Sequence, residues 1–206
     1  MTGQKTRSMI LCALFAALIA AGAFLRIPIP VVPFTLQYLF TMLAGLLLGP
    51  RLGATAVGVY IVLGLAGLPV FTQGGGPGYI FQPTFGYIIG FALGAYLTGR
   101  IAHAQPRPSM LRLIVANLAG LAVVYACGMV YYYLISQFYL GDPIGLWPLL
   151  LYCFLMTVPG DLFLCAVGAI LARRLIPLLQ PMQGVISNEW YRKDTRSSAV
   201  RRANRP

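Results

Sequence analysis

The sequence predicts an all-α integral membrane protein with six transmembrane helices and both termini in the cytoplasm. Hydrophobic residues make up 59% of the 206 residues and charged residues only 9%. The mean hydropathy is +0.79, which lies outside the range of ordinary soluble domains. About 20 apolar residues are enough for one helical crossing, and apolar stretches recur along most of the chain. No separate soluble domain fits beside them.

Clusters of proline, glycine and charged residues divide the apolar part into six spans. We expect these spans at about 8–25, 36–50, 53–68, 84–103, 110–137 and 145–177, with the last interrupted at Pro159-Gly160. The second and third spans are short and are joined by a tight turn from Gly49 to Gly53, so we expect them to be tilted or partly buried. The first span lacks a signal-peptide cleavage site before a soluble body, and it therefore stays in the count as a helix.

The distribution of positive charge predicts the orientation. With six crossings, 14 of the 15 lysine and arginine residues fall on one side, and only Arg26 falls on the other. An excess of these residues marks the cytoplasmic face, so the loops around 26–35, 69–83 and 138–144 are expected outside. We expect one transmembrane domain at 1–180, followed by a basic cytoplasmic tail at 181–206 that is disordered or lies on anionic lipid. A nucleic-acid role for this tail is much less common than a topology signal.

The sequence offers little catalytic chemistry. Cys12, Cys127, Cys153 and Cys165 are scattered through apolar segments without a C-x-x-C or Cys/His spacing, so we assign no metal and no cofactor. There is no Ser/His/Asp set, no acidic metal-binding pair and no nucleotide loop, which argues against an enzyme. A single intramembrane carboxylate and a single histidine are also a poor supply for an ion-coupled cycle. The chain can bind a molecule but lacks the groups to energise a cycle alone, and this deficit points to a partner.

The first span carries a stripe of small residues. Ala13, Ala17 and Ala21 are spaced four residues apart and share one helix face. Small residues at this spacing let another helix approach closely in a bilayer. The stripe fits equally well with packing inside this chain and with packing against a partner protein.

Two of the predicted outer loops have unusual compositions. RIPIPVVPFTLQ contains three prolines that hold the backbone extended, and its apolar character suits a lid. GLPVFTQGGGPGYIFQPTFGY contains Gly74, Gly75 and Gly76, which let backbone approach a ligand, followed by aromatic residues that offer flat walls. The alternative for the glycine segment is a flexible turn.

Asp161 is the candidate binding residue within an apolar span. A charged aspartate in mid-bilayer costs ~2.5–3.5 kcal/mol, so it usually faces a cavity or a partner group. One possibility is structural, because a carboxylate in the first turn after Pro159-Gly160 is stabilised by the helix dipole and by unpaired N–H groups. The other is an acceptor for the N–H donors of a bound molecule near the outer leaflet. Further polar candidates are Gln37, Thr84, Tyr87, Asn117, Tyr131, Tyr132, Tyr133 and Gln137.

Four separated stretches in the right order resemble the biotin-specific BioY family. These proteins are the substrate-binding (S) components of energy-coupling-factor (ECF) transporters in prokaryotic cell membranes. The stretches are ALFAALIAAGAFLRIPIPVVPFTLQ, LAGLLLGPRLGA, GLAGLPVFTQGGGPG with PTFGYIIGF, and VPGDLFLCAVGAILARRL, between about residues 8 and 177. The resemblance implies the ECF S-component fold and high-affinity biotin uptake. It also implies a transmembrane coupling subunit, met by a surface similar to the alanine stripe, and two ATP-hydrolysing subunits as partners.

The same resemblance implies a biotin pocket near the outer surface. Asp161 would accept hydrogen bonds from the ureido N–H groups, with Gln37, the glycine segment, Thr84, Tyr87 and Tyr132 in or near the pocket. Family members commonly carry a lysine where this chain has Leu164, so Arg26 or backbone N–H groups are expected to meet the biotin carboxylate. The alternatives are an S component for a different small vitamin or precursor and an intramembrane lipid-modifying enzyme.

Overall fold

The computed structural model of the chain describes residues 2–27, 32–105, 108–141 and 144–177, and it contains the six helical spans that the sequence predicts. Five of them are the uninterrupted helices α1 (Thr2–Phe24), α2 (Gln37–Leu48), α3 (Pro50–Leu65), α4 (Phe85–Ala102) and α5 (Met110–Phe138). The sixth consists of α6 (Leu146–Leu150), a π-helical turn (Leu151–Leu155) and α7 (158–177). α1, α4, α5 and the sixth span are long and apolar enough to cross a membrane, whereas α2 and α3 are shorter, as expected from the sequence.

The predicted position of the break in the sixth span was wrong. The helix is interrupted at 151–157, and it has already resumed at Pro159 and Gly160. A proline cannot donate to the carbonyl of the residue four positions earlier, and its ring clashes with that carbonyl, so the preceding turn is disrupted. Pro159 itself then lies in the first turn of α7, where its missing N–H costs nothing.

The loop between α1 and α2 is a short hairpin. β1 (Arg26–Ile27) pairs antiparallel with β2 (Phe34–Thr35), and Arg26 lies opposite Thr35. The backbone N–H of Leu36 donates to the carbonyl of Leu25 at 3.1 Å and closes the base of the hairpin. Two of the three prolines expected to stiffen this loop lie outside the described residues.

Glycine residues allow α2, α3 and α4 to pack backbone against backbone. A Cβ at Gly45 would overlap the carbonyl oxygen of Ala95, and a Cβ at Gly53 would lie 2.8 Å from the Cα of Gly45. A Cβ at Gly99 would lie 2.8 Å from the carbonyl oxygen of Gly45. Such close approach lets dispersion contacts between helix backbones stabilise the bundle in lipid.

The three loops predicted to lie outside meet at one end of the bundle. The side chain of Arg26 donates to the carbonyl of Thr72 at 2.6 Å, and the rings of Phe81 and Tyr139 stack with centroids 4.6 Å apart. At the opposite end, Nε2 of His103 lies 2.9 Å from the carbonyl oxygen of Leu46. The connections therefore alternate between two ends, while the cytoplasmic orientation of the termini stays a prediction from charge. The tail at 181–206 lies outside the described residues.

Candidate functional site

A cavity of about 70 Å³ lies beneath the loops at the end of the bundle that carries Arg26. Its apolar wall comes from the hairpin, α4 and α5, including Phe34, Phe91 and Val124. Its polar groups come from the hairpin, α2, the α3–α4 loop, α4, α5 and the residues around the start of α7. They are Thr35, Gln37, Tyr38, Thr72, Tyr79, Thr84, Tyr87, Tyr125, Thr157 and Asp161. An apolar cavity with a few convergent polar groups is typical of a small-molecule site.

Asp161 lies in the first turn of α7 and is only 9% exposed. Its backbone N–H already donates to the carbonyl of Thr157 at 3.1 Å. Its carboxylate accepts a hydrogen bond of 2.5 Å from the hydroxyl of Tyr125, which also lies 2.8 Å from Oγ1 of Thr157. Within the described residues, no main-chain N–H caps this carboxylate. An ionised carboxylate has about four lone-pair positions, so most of its acceptor capacity remains for a ligand.

Gln37 is held at the start of α2 by two neighbouring side chains. Its Nε2 donates to the hydroxyl of Tyr60 at 2.6 Å, and Oγ1 of Thr35 donates to its Oε1 at 3.4 Å. The hydroxyl of Tyr60 in turn donates to the carbonyl of Val70 at 3.2 Å. These bonds connect α2, α3 and the α3–α4 loop along one side of the cavity.

Thr84 and Tyr87 come from the start of α4. The Oγ1 of Thr84 is buried and has no hydrogen-bond partner within the described residues. A buried polar atom without a partner costs free energy, so Oγ1 of Thr84 is a natural contact for a ligand in the cavity. The hydroxyl of Tyr87 donates to the carbonyl of Cys153 in the π-helical turn at 3.1 Å. It therefore supports the break in the sixth span beside the cavity.

The glycine segment shapes the α3–α4 loop rather than the cavity wall. Gly74 and Gly76 have φ angles of 112° and 103°, which L side chains rarely adopt. A Cβ at Gly75 would overlap the carbonyl oxygen of Leu68. None of the three glycines lines the cavity, whereas Thr72, which precedes them, does. A direct contact between these glycines and a ligand stays a prediction.

Two predicted site residues, Arg26 and Tyr132, lie outside the cavity wall. Arg26 is exposed at the rim and reaches the cavity only through its bond to Thr72. Tyr132 is partly buried on α5, about two turns beyond Tyr125. Leu164, where the family resemblance led us to expect a lysine, is 5% exposed and does not line the cavity.

Sequence reasoning did not find Tyr38, Tyr125 and Thr157. Thr157 lies four residues before Asp161, and this one-turn spacing could have suggested a shared helix face. Tyr38 donates to the carbonyl of Asn117 at 2.8 Å, and Asn117 itself donates to the carbonyl of Cys165 at 2.9 Å. Asn117 therefore connects α5 with α7 and does not line the cavity.

The alanine stripe lies on the outside of the bundle. Ala13, Ala17 and Ala21 are exposed, whereas Phe15 and Ile19 on the same helix face the core. Packing within the described part of the chain does not cover this stripe. Its surface is therefore accessible to another helix in the membrane.

Comparisons with known proteins all indicate the same family. The model of the BioY family matches residues 1–181. The probable biotin transporter BioY of Lysinibacillus sphaericus is 44% identical over 88% of this chain and 93% of its own length. The biotin transporter BioY of Thermotoga maritima is 37% identical over 82% of this chain and 95% of its own length. The crystal structure of the S-component for biotin from an ECF-type ABC transporter aligns with a TM-score of 0.69 and 30% identity, covering 85% of this chain and 93% of that chain.

Proposed function

The chain belongs to the BioY family, and from this premise we propose that its cavity captures biotin for uptake across the cell membrane of a prokaryote. The protein acts as the multi-pass, substrate-binding subunit of an ECF transporter. The observation that carries the proposal is a buried carboxylate, Asp161, facing an apolar cavity beneath two joined loops. The family match, the biotin transporters among its relatives and the solved S-component for biotin support it.

Biotin fits the chemistry of the cavity. Its ureido ring has two N–H donors, which an ionised carboxylate accepts in charge-assisted hydrogen bonds. Tyr125 donates to Oδ2 of Asp161 and so orients the carboxylate toward the cavity. The sulfur-containing ring is apolar and suits walls such as Phe91 and Val124. Oγ1 of Thr84 is available for the ureido oxygen.

A titration of the purified chain with different vitamins tests this assignment. We expect isothermal titration calorimetry to give saturable binding of biotin and no comparable binding of thiamine or riboflavin. Tighter binding of another vitamin than of biotin would favour the alternative, an S component for a different vitamin or precursor. Leu164, which replaces the common lysine, is the observation that favours this alternative.

Arg26 is our candidate partner for the biotin carboxylate. A guanidinium group has five N–H donors, and the bond to Thr72 uses one of them. Arg26→Ala should weaken biotin binding by about tenfold, consistent with a charge-assisted hydrogen bond of ~1.5–3 kcal/mol partly exposed to water. The matched measurement uses biotinamide, which has a neutral arm. Arg26→Ala should weaken the binding of biotinamide much less than the binding of biotin. If both ligands lose affinity equally, Arg26 serves only to hold the loops together; if neither does, the carboxylate binds elsewhere.

The energy for transport comes from partner subunits in this proposal. The chain would dock on a transmembrane coupling subunit, and two further subunits would hydrolyse ATP. The exposed Ala13, Ala17 and Ala21 stripe supports a helix-packing contact with the coupling subunit.

A bulky substitution in the stripe should separate binding from assembly. Ala17→Leu inserts side-chain volume at the point of closest helix approach, where overpacking costs ~1–3 kcal/mol. We expect fewer ECF subunits to co-purify with the variant while its biotin affinity stays unchanged. Ala122→Leu is the control, because Ala122 is an exposed alanine on α5. Normal co-purification of Ala17→Leu, or an equal loss with Ala122→Leu, would contradict the assigned interface.

A further inference from the structure

A second concave site lies at the opposite end of the bundle from the biotin cavity. It is a groove of about 560 Å³ between the last turns of α4 and the first turns of α5. Its polar side chains are Arg100, Ser109 and Arg112, and its walls are mainly apolar. The binding of biotin makes no use of this groove.

The two arginines lack a counter-charge. Neither Arg100 nor Arg112 forms an ion pair within the described residues, and the one acid described there, Asp161, lies beside the biotin cavity at the other end. The N-terminus of α5 adds a partial positive charge to the same groove. Ser109 caps this helix by accepting a hydrogen bond from the backbone N–H of Arg112 at 3.2 Å, which leaves the guanidinium group of Arg112 available.

The apolar walls complement the two positive side chains. Leu97 and Ile101 of α4 lie on one side, and Leu111 and Val115 of α5 lie on the other. Leu111 is 72% exposed and Val115 is 48% exposed, so an acyl chain can reach both from the bilayer. The basic end of the bundle is predicted to lie at the level of the lipid headgroups. Arg100 and Arg112 therefore lie at the depth where the phosphate of a lipid headgroup is found.

We propose that this groove is a binding site for an anionic glycerophospholipid. The headgroup phosphate is paired by Arg100 and Arg112, and an acyl chain lies along Leu97, Leu111 and Val115. A zwitterionic lipid offers the same acyl chains but no net negative charge, so it binds more weakly. Selection for the anionic lipid is the property that distinguishes this site from ordinary contact with the bilayer.

Native mass spectrometry of the detergent-solubilised full chain tests the site directly. Phosphatidylglycerol or phosphatidylcholine with identical acyl chains is titrated into the protein. Each arginine near a membrane surface contributes about a factor of five in affinity for an anionic lipid. We therefore expect wild-type protein to retain phosphatidylglycerol at least about tenfold better than phosphatidylcholine. The Arg100→Gln/Arg112→Gln variant should retain the two lipids equally. Arg100→Gln alone replaces an exposed side chain and should give an intermediate preference.

The control is Arg173→Gln/Arg174→Gln, which removes the same net charge from exposed positions near the end of α7. It should keep the wild-type preference, and every variant should bind biotin as tightly as wild type. The proposal is wrong if wild-type protein retains both lipids equally, or if the control loses as much preference as the groove variant. It is also wrong if sn-glycerol 3-phosphate displaces phosphatidylglycerol at equal concentration, because the acyl chain would then contribute nothing.

Discussion

Asp161→Asn is expected to weaken biotin binding by roughly tenfold to a hundredfold. The substitution keeps the size of the side chain but removes the charge, and hydrogen bonds to a charged group contribute ~1.5–3 kcal/mol against ~0.5–1.5 kcal/mol for neutral ones. Asp161 is only 9% exposed, so water compensates little for the lost interaction. The amide also presents N–H donors toward the ureido donors of biotin. Isothermal titration calorimetry of the two proteins measures the difference.

The control for Asp161→Asn is Thr98→Val. Thr98 is 1% exposed in α4 and donates to the carbonyl of Ala116 at 3.1 Å, outside the cavity wall. Thr98→Val removes a buried hydrogen bond between membrane helices away from the cavity. The affinity for biotin should therefore not change. Tyr125→Phe removes the hydroxyl donor that orients Asp161. Its biotin affinity should lie between those of Asp161→Asn and Thr98→Val. Unchanged biotin affinity in Asp161→Asn would contradict this role and would indicate that the carboxylate serves only to stabilise α7.

Gly45→Ala is expected to have the largest effect on stability. A Cβ at this position would overlap the carbonyl oxygen of Ala95, and that backbone atom cannot rotate away. Relieving the overlap requires α2 and α4 to separate, and overpacking of this kind costs ~1–3 kcal/mol or more. Alanine contributes only about 1 kcal/mol through its higher helix propensity. We expect a lower Tm in detergent and a smaller monodisperse fraction in size-exclusion chromatography.

Gly58→Ala in α3 is the matched control. A Cβ at Gly58 has no heavy atom within 4 Å, so only the gain in helix propensity applies. Its Tm should equal or exceed that of wild type. A Gly45→Ala protein as stable as Gly58→Ala would mean that the crossing of α2 and α4 tolerates extra volume.

The helix boundaries could be predicted because proline, glycine and charge interrupt strongly apolar spans. Asp161 could be singled out because a carboxylate is costly in such a span. Tyr125 could not be found in this way, since a tyrosine within an apolar helix is usually a packing residue and only the three-dimensional arrangement brings it to Asp161. The break before Pro159 was misplaced because proline acts on the preceding turn. The partner of Gln37, Tyr60, lies on a different helix, and no local pattern connects the two.

The bond between the two loops that cover the proposed biotin cavity has a kinetic consequence. The hairpin contributes Phe34 and Thr35 to the cavity wall and the α3–α4 loop contributes Thr72, so both segments border the space in which a vitamin would bind. We expect the vitamin to enter and leave more readily when these two segments move apart, which breaks the exposed bond from Arg26 to Thr72. Such gating slows association below the diffusional rate and slows dissociation as well. A long residence time lets a membrane protein at low vitamin concentration keep its cargo until its partners act.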